Sequence, residues 1–173
     1  MRNHNEGNGA EARFREVFSH LGAVTAYARR RGSRDADGLA AEVMTIAWRR
    51  LADVPSDDAR PWLYATARNL LLAERRQAAR AASVAAPEHA VESEPPGLDP
   101  DLAGALRSLS AADREALLLI AWEELTPSEA ARALGVNATA FRVRLLRARR
   151  RLRAMLGEPQ HASHLPHLDV EGT

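Results

Sequence analysis

Between Ser83 and Asp101 the chain reads SVAAPEHAVESEPPGLDPD, a stretch with four prolines, five acids and no arginine. Such a segment lacks the apolar surface that would offset the entropy of ordering it, and its prolines withhold backbone donors, so it is predicted to be an extended linker. No single core can then run through the chain. What remains is a unit at 11–82 and another at 102–156, each near the size at which small domains fold. The segment from 157 to 173, GEPQHASHLPHLDVEGT, carries Pro159 and Pro166 and no helical period, and is expected to be a disordered tail.

Both units must be held by apolar burial alone, because the chain has no cysteine for a disulfide or a thiolate metal site. The apolar fraction of 46% is mostly Ala and Leu, with 5% aromatic residues and few β-branched ones. Those side chains favour packed helices over sheets, so the expected fold is all-α, two small helical domains joined by a flexible linker. In the first unit, Phe14, Val17, Phe18, Leu21, Val24, Tyr27 and Ala28 recur at spacings of three and four, predicting one helix ended by Gly32. A second helix is predicted after the N-cap Asp35, with Leu39, Val43, Ile46 and Ala47 on one face. The third opens near Pro61 and continues through Leu63, Ala67, Leu70 and Leu71.

The second unit begins with a helix that Ser110 is placed to cap. The next segment, TPSEAARALGV, is richer in signals. Thr126 and Glu129 have capping-box spacing, Pro127 suits the first helical position, and Gly135 suits the left-handed residue that ends a helix. A short helix, a glycine turn and a longer helix read as a helix-turn-helix.

That longer helix concentrates the charge. Seven arginines lie between Arg142 and Arg153, with no acid among them, in a chain of formal net charge +1. Phe141, Leu145, Ala148, Leu152 and Met155 form the face expected to be buried. Asn137, Thr139, Arg142, Val143, Leu146, Arg147 and Arg150 then fall largely outside it. Arginines so placed neutralise duplex phosphates or pair with a guanine edge; the plainer alternative is a solvated surface. In the first unit, Trp62 and Tyr64 near Arg68 and Asn69 are suited to stack on and hydrogen-bond unpaired bases, with core packing the competing reading for Trp62.

Other chemistry finds little support. The tail histidines His161, His164 and His167 are spaced by threes but interrupted by Pro166, a poor metal frame. There is no Gly-rich phosphate loop and no nucleophile or zinc-protease motif, so neither catalysis nor a cofactor is expected. No apolar run reaches membrane-spanning length and the N-terminus is polar, which points to a cytoplasmic protein without membrane insertion.

Taken together, these segments resemble the extracytoplasmic-function (ECF) group of bacterial sigma factors, the promoter-specificity subunits of RNA polymerase. The resemblance covers about residues 14–156. DADGLAAEVMTIAWRRL is similar to the helix of region 2 that docks on the polymerase β′ coiled coil, matching through Asp35, Ala36, Leu39, Glu42, Ala47 and Trp48. Gly38 and Ala41 replace an acid and a glutamine of that pattern. PWLYATARNLLLAERRQ resembles the segment that opens the downstream (−10) promoter element, with Trp62, Leu63, Tyr64, Ala67, Arg68 and Asn69 on motif positions. The stretch from Leu106 to Leu152 follows the pattern of region 4, which reads the upstream (−35) element. Ala140 and Val143 depart from it by losing hydroxyls.

The resemblance implies a factor that binds core polymerase, through the β′ coiled coil and the β flap, and directs initiation at promoter DNA. It implies polymerase contacts at Leu39, Glu42, Val43, Ile46 and Trp48. It implies DNA contacts at Asn137, Thr139, Arg142, Val143, Leu146, Arg147 and Arg149, and at Trp62, Tyr64, Arg68 and Asn69 beside the loop 52–60, where relatives hold a flipped base. An anti-sigma protein is a further implied partner. A stand-alone helix-turn-helix regulator is the alternative. The acids Glu88, Glu92, Glu94, Asp99 and Asp101 also raise the expectation that the two domains fold together and hide Arg142 to Arg153.

Overall fold

The computed structural model describes residues 3–82 and 98–157, and within them the fold is all-α. The first domain comprises α1 (Asn3–Phe18), α2 (Leu21–Arg30), α3 (Ala36–Arg49), a 3-10 turn at Leu51–Asp53, and α4 (Arg60–Ala82). The second comprises α5 (Pro100–Ser108), α6 (Ala111–Ala121), α7 (Pro127–Leu134) and α8 (Ala138–Leu156). Beyond Gly157 the expected tail, with its histidines, lies outside the described residues, as does the linker except for its last four positions. Of those four, Pro100 and Asp101 begin α5. Asp99 caps α5, its carboxylate accepting from the backbone N–H groups of Asp101 and Leu102 at 2.9 and 3.3 Å.

One expected helix is two. The run from Phe14 to Ala28 breaks at Ser19 and His20, where the Ser19 hydroxyl donates to the Glu16 carbonyl at 2.6 Å and satisfies the end of α1. Serine competes with helix continuation through such local bonds. The break lets α1 pack on α3 while α2 packs on both α3 and α4. Helix α2 then ends in a Schellman motif, with Gly32 at φ 73° and the Ser33 N–H reaching the Ala28 carbonyl at 3.0 Å.

The core of the first domain joins Val24, Tyr27, Ala40, Val43, Leu63 and Ala67. In the second, Leu119, Leu125, Ala130, Phe141, Leu145 and Ala148 are buried where α6 and α7 pack on α8. The two domains touch. Helix α7 lies along α4, so the chain is folded back on itself.

Candidate nucleic-acid interface

The helix-turn-helix is built by local chemistry. Thr126 accepts from the Glu129 N–H at 3.3 Å while the Glu129 carboxylate accepts from the Thr126 N–H at 2.7 Å, closing the capping box at the start of α7. Gly135 ends α7 in the left-handed region, at φ 64°, and the Val136 N–H returns to the Ala131 carbonyl at 3.0 Å. A Cβ at Gly135 would meet nothing within 4 Å, so the requirement is conformational alone. Gly135→Ala should therefore cost about 1–2 kcal/mol in urea unfolding, with Gly135→Asn costing less; equal stability of all three proteins would remove this account of the turn.

Helix α8 starts at Asn137, whose side-chain oxygen accepts from the N–H groups of Thr139 and Ala140 at 2.8 and 3.4 Å. That oxygen is committed to the cap, which leaves only the Asn137 amide N–H groups for a ligand. Phe141 and Ala148 are wholly buried and Leu145 nearly so. On the opposite side Thr139, Arg142, Val143, Leu146, Arg147 and Arg150 form one exposed stripe at spacings of three and four. Val143 is 42% exposed and Leu146 60%, apolar positions flanked by arginines. Arg149 is exposed at the edge of this stripe, and Arg142 reaches the Ser128 hydroxyl on α7 at 3.4 Å.

One expectation on α8 is corrected. Met155 does not join the buried face; it is exposed, because α8 runs past the helices that cover its earlier turns. Arg151, exposed over more than half of its side chain, donates to the nearly buried Asp113 carboxylate and so ties α8 to α6.

In the first domain, Asp35 caps α3 by accepting from the Gly38 N–H at 2.8 Å. The residues expected to meet a polymerase then divide. Leu39 and Val43 are 4% and 0% exposed, members of the core between α3 and its neighbours and not of an outer face. An amphipathic helix buries its apolar stripe in its own domain first, and these two lie at the centre of that stripe. Glu42 is exposed, Ile46 is half-buried, and Trp48 stands 47% exposed. The Trp48 ring meets Phe14 edge-on at 4.9 Å, and Phe14 leans on Phe18 at 5.9 Å.

The residues expected to hold an unpaired strand also divide. Asn69 is exposed and Arg68 half-buried on α4. Trp62 is half-buried, with the Arg50 guanidinium 5.9 Å from its ring centre. Tyr64 is almost wholly buried, stacked on Tyr27 at 4.9 Å, and its burial pushes the phenol pKa up to about 12. Tyr64 is therefore a core residue in this closed arrangement. The loop at 52–60 is braced by Arg13, which donates to the Val54 carbonyl. Burial would raise the Asp58 carboxyl, but hydrogen bonds from the Arg60 side chain and backbone hold it below the usual carboxylate value. A groove beside this loop is lined by Arg13, His20, Asp57, Arg60 and Glu129, the last contributed by α7 of the second domain.

Sequence reasoning missed the seam between the domains. Arg31, 7% exposed, donates through Nε to the Glu115 carboxylate at 3.0 and 3.1 Å and through Nη1 to Glu123 at 2.9 Å. Arg30 reaches the second oxygen of Glu123 at 2.6 Å, and the Tyr27 hydroxyl donates to Glu115 at 3.2 Å. These partners lie 84 to 93 residues apart, so no local pattern signals them. The closure does not hide the arginines of α8, contrary to the expectation from the acidic linker. Except for half-buried Arg144, the arginines from Arg142 to Arg153 are exposed, and α7 covers α4 instead.

Comparison with known proteins agrees with this architecture. The family models "Sigma-70 region 2" and "Sigma-70, region 4" match residues 17–81 and 101–152. Among solved structures, the chain is similar to the sigma factor RpoE of Bartonella quintana, determined in complex with the anti-sigma factor NepR. The identity is 26% and the TM-score 0.63, over 82% of this chain and 94% of that one. It is also similar to CnrH, determined in complex with the cytosolic domain of CnrY, at 27% identity and TM-score 0.55, over 83% and 86% of the two chains. No curated protein matches the chain. No helix among the described residues is long and apolar enough to cross a membrane.

Proposed function

Since the chain belongs to the sigma-70 family and is an RNA polymerase sigma factor of the ECF type, we propose how its residues divide the work of promoter selection. The exposed stripe of α8 enters the major groove of the upstream element. Arg142 and Arg147 reach guanine edges or their phosphates, and Val143 and Leu146 lie against thymine methyl groups. The carrying observation is the exposure of Val143 and Leu146 among arginines on a helix whose other face is buried at Phe141, Leu145 and Ala148. A merely solvated charged helix gains nothing from those two side chains. Thr139, Arg149 and the Asn137 amide add contacts to the backbone of the same site.

On the first domain, Arg68 and Asn69 with Trp62 and the loop 52–60 hold the non-template strand of the downstream element. Extruding a base costs a few kcal/mol of stacking, which a braced loop and a hydrogen-bonding amide offset. Tyr64 supports this helix from beneath. Core polymerase docks through the exposed side of α3, at Glu42, Ile46 and Trp48, onto the β′ coiled coil, while the second domain meets the β flap. Two modest DNA contacts on one polymerase scaffold then act as a bivalent reader, each raising the effective concentration of the other. The solved relative with NepR supports an anti-sigma protein as a regulatory partner.

Competition binding with duplex DNA tests the reading of α8. Arg147→Ala should cost about 1–3 kcal/mol and relax preference at one position, whereas Arg150→Ala should weaken binding evenly and lower the salt slope by about one. Equal, sequence-independent losses from both would refute base reading by Arg147.

A further inference from the structure

The seam between the domains is built like an anion site already filled. Two guanidinium groups, Arg30 and Arg31, converge on the Glu123 carboxylate, one on each oxygen, and Arg31 grips Glu115 through Nε. The Arg31 fork lies 3.6 Å above the Tyr27 ring, and Arg75 of α4 donates to the Arg31 carbonyl at 2.9 Å, so the pair is held in place by its own domain. The carboxylates, by contrast, both come from α6 and the turn after it in the other domain.

Two features show that the carboxylates do not saturate this site. Arg30 Nε and Arg31 Nη2 are buried N–H groups without an acceptor. Each buried donor left unmade carries a desolvation cost, so these two N–H groups subtract from what the ion pairs contribute to closure. The planar fork of arginine fits phosphate as well as carboxylate, and a phosphodiester offers further acceptor oxygens to the same donors.

We infer that Arg30 and Arg31 form a phosphate-binding site for single-stranded DNA, closed in the free chain by Glu115 and Glu123 acting as internal competitors. This rests on the sigma-factor reading above. The strand is favoured over other polyanions because the site adjoins α4. That helix stacks Tyr64 on Tyr27 and carries Arg68 and Asn69 on its outer side. In the closed chain the strand cannot reach the arginines until α6 and α7 swing away. DNA capture by the first domain and separation of the two domains are thereby one event. The upstream-reading face of α8 is exposed throughout.

The test is fluorescence anisotropy of the full chain, without polymerase, against a labelled single strand of about 12 nucleotides. Glu115→Gln/Glu123→Gln should bind at least roughly fivefold more tightly than the parent, with a salt slope steeper by about 1.4, the value for two added phosphate contacts. Adding Arg30→Gln/Arg31→Gln to that background should abolish the gain. Glu11→Gln/Asp101→Asn, which changes the net charge equally at exposed sites away from the seam, should not reproduce it. If the double seam variant melts below the assay temperature, Glu115→Gln alone carries the test, with a smaller gain expected.

No gain in the seam variants, or a gain that survives loss of both arginines, would overturn the inference. Initiation by core polymerase is scored separately. Tighter strand binding without initiation would leave this site standing and count against the sigma-factor reading. Initiation without tighter binding would do the reverse.

Discussion

Leu39→Asp should unfold the first domain, at a cost of at least about 4–5 kcal/mol, and should abolish polymerase binding only as a consequence. Leu39 is 4% exposed, packed with Ala40, Val43 and Met44 of α3 in the core that α2 and α4 complete. Aspartate there would leave a cavity where the leucine methyls were and bury a carboxylate with no partner, two of the mechanisms behind the largest single-residue effects. The contrasting variant is Trp48→Ala. Its ring is 47% exposed and meets Phe14 edge-on, so stability should fall far less while polymerase binding falls strongly. Thermal unfolding by circular dichroism beside a polymerase pull-down separates the two. Equal stability of Leu39→Asp and the parent would contradict the packing of α3.

Phe141→Ala should cost about 3–5 kcal/mol and remove duplex binding without touching any residue proposed to contact DNA. Phe141 is wholly buried in the first turn of α8, where α6 and α7 meet it, and is the largest apolar side chain in the second domain's buried core. A domain of this size has only a few kcal/mol of stability to lose. The expected signature is loss of DNA binding in step with loss of helicity. Arg147→Ala, in contrast, should lose binding with helicity intact. A folded Phe141→Ala domain that still fails to bind DNA would assign the phenylalanine a direct role that its burial denies.

These contrasts show where the sequence was readable. The start and end of α7 were legible to the residue, because a capping box, a proline and a left-handed glycine act within one turn of the chain. The stripe on α8 was legible for the same reason: helical period alone places Phe141, Leu145 and Ala148 opposite Arg142, Leu146 and Arg150. The α1–α2 break was not legible, since the apolar period runs on across Ser19 and His20 and masks the local serine bond that ends α1. On α3, period identified Leu39 and Val43 as a buried face but not the body that buries them. A docking motif and a core stripe look alike in one dimension. The seam of Arg30, Arg31, Glu115 and Glu123 depends on partners far apart in sequence, as does the pair of Arg151 with Asp113 on another helix.

The most direct test of the central claim is co-elution of the full chain with bacterial core RNA polymerase on gel filtration, comparing the parent with Trp48→Ala. The account predicts a stable complex for the parent that the tryptophan variant loses while retaining its fold. A parent chain that binds duplex DNA but never travels with core polymerase would contradict it, leaving a free-standing helix-turn-helix regulator.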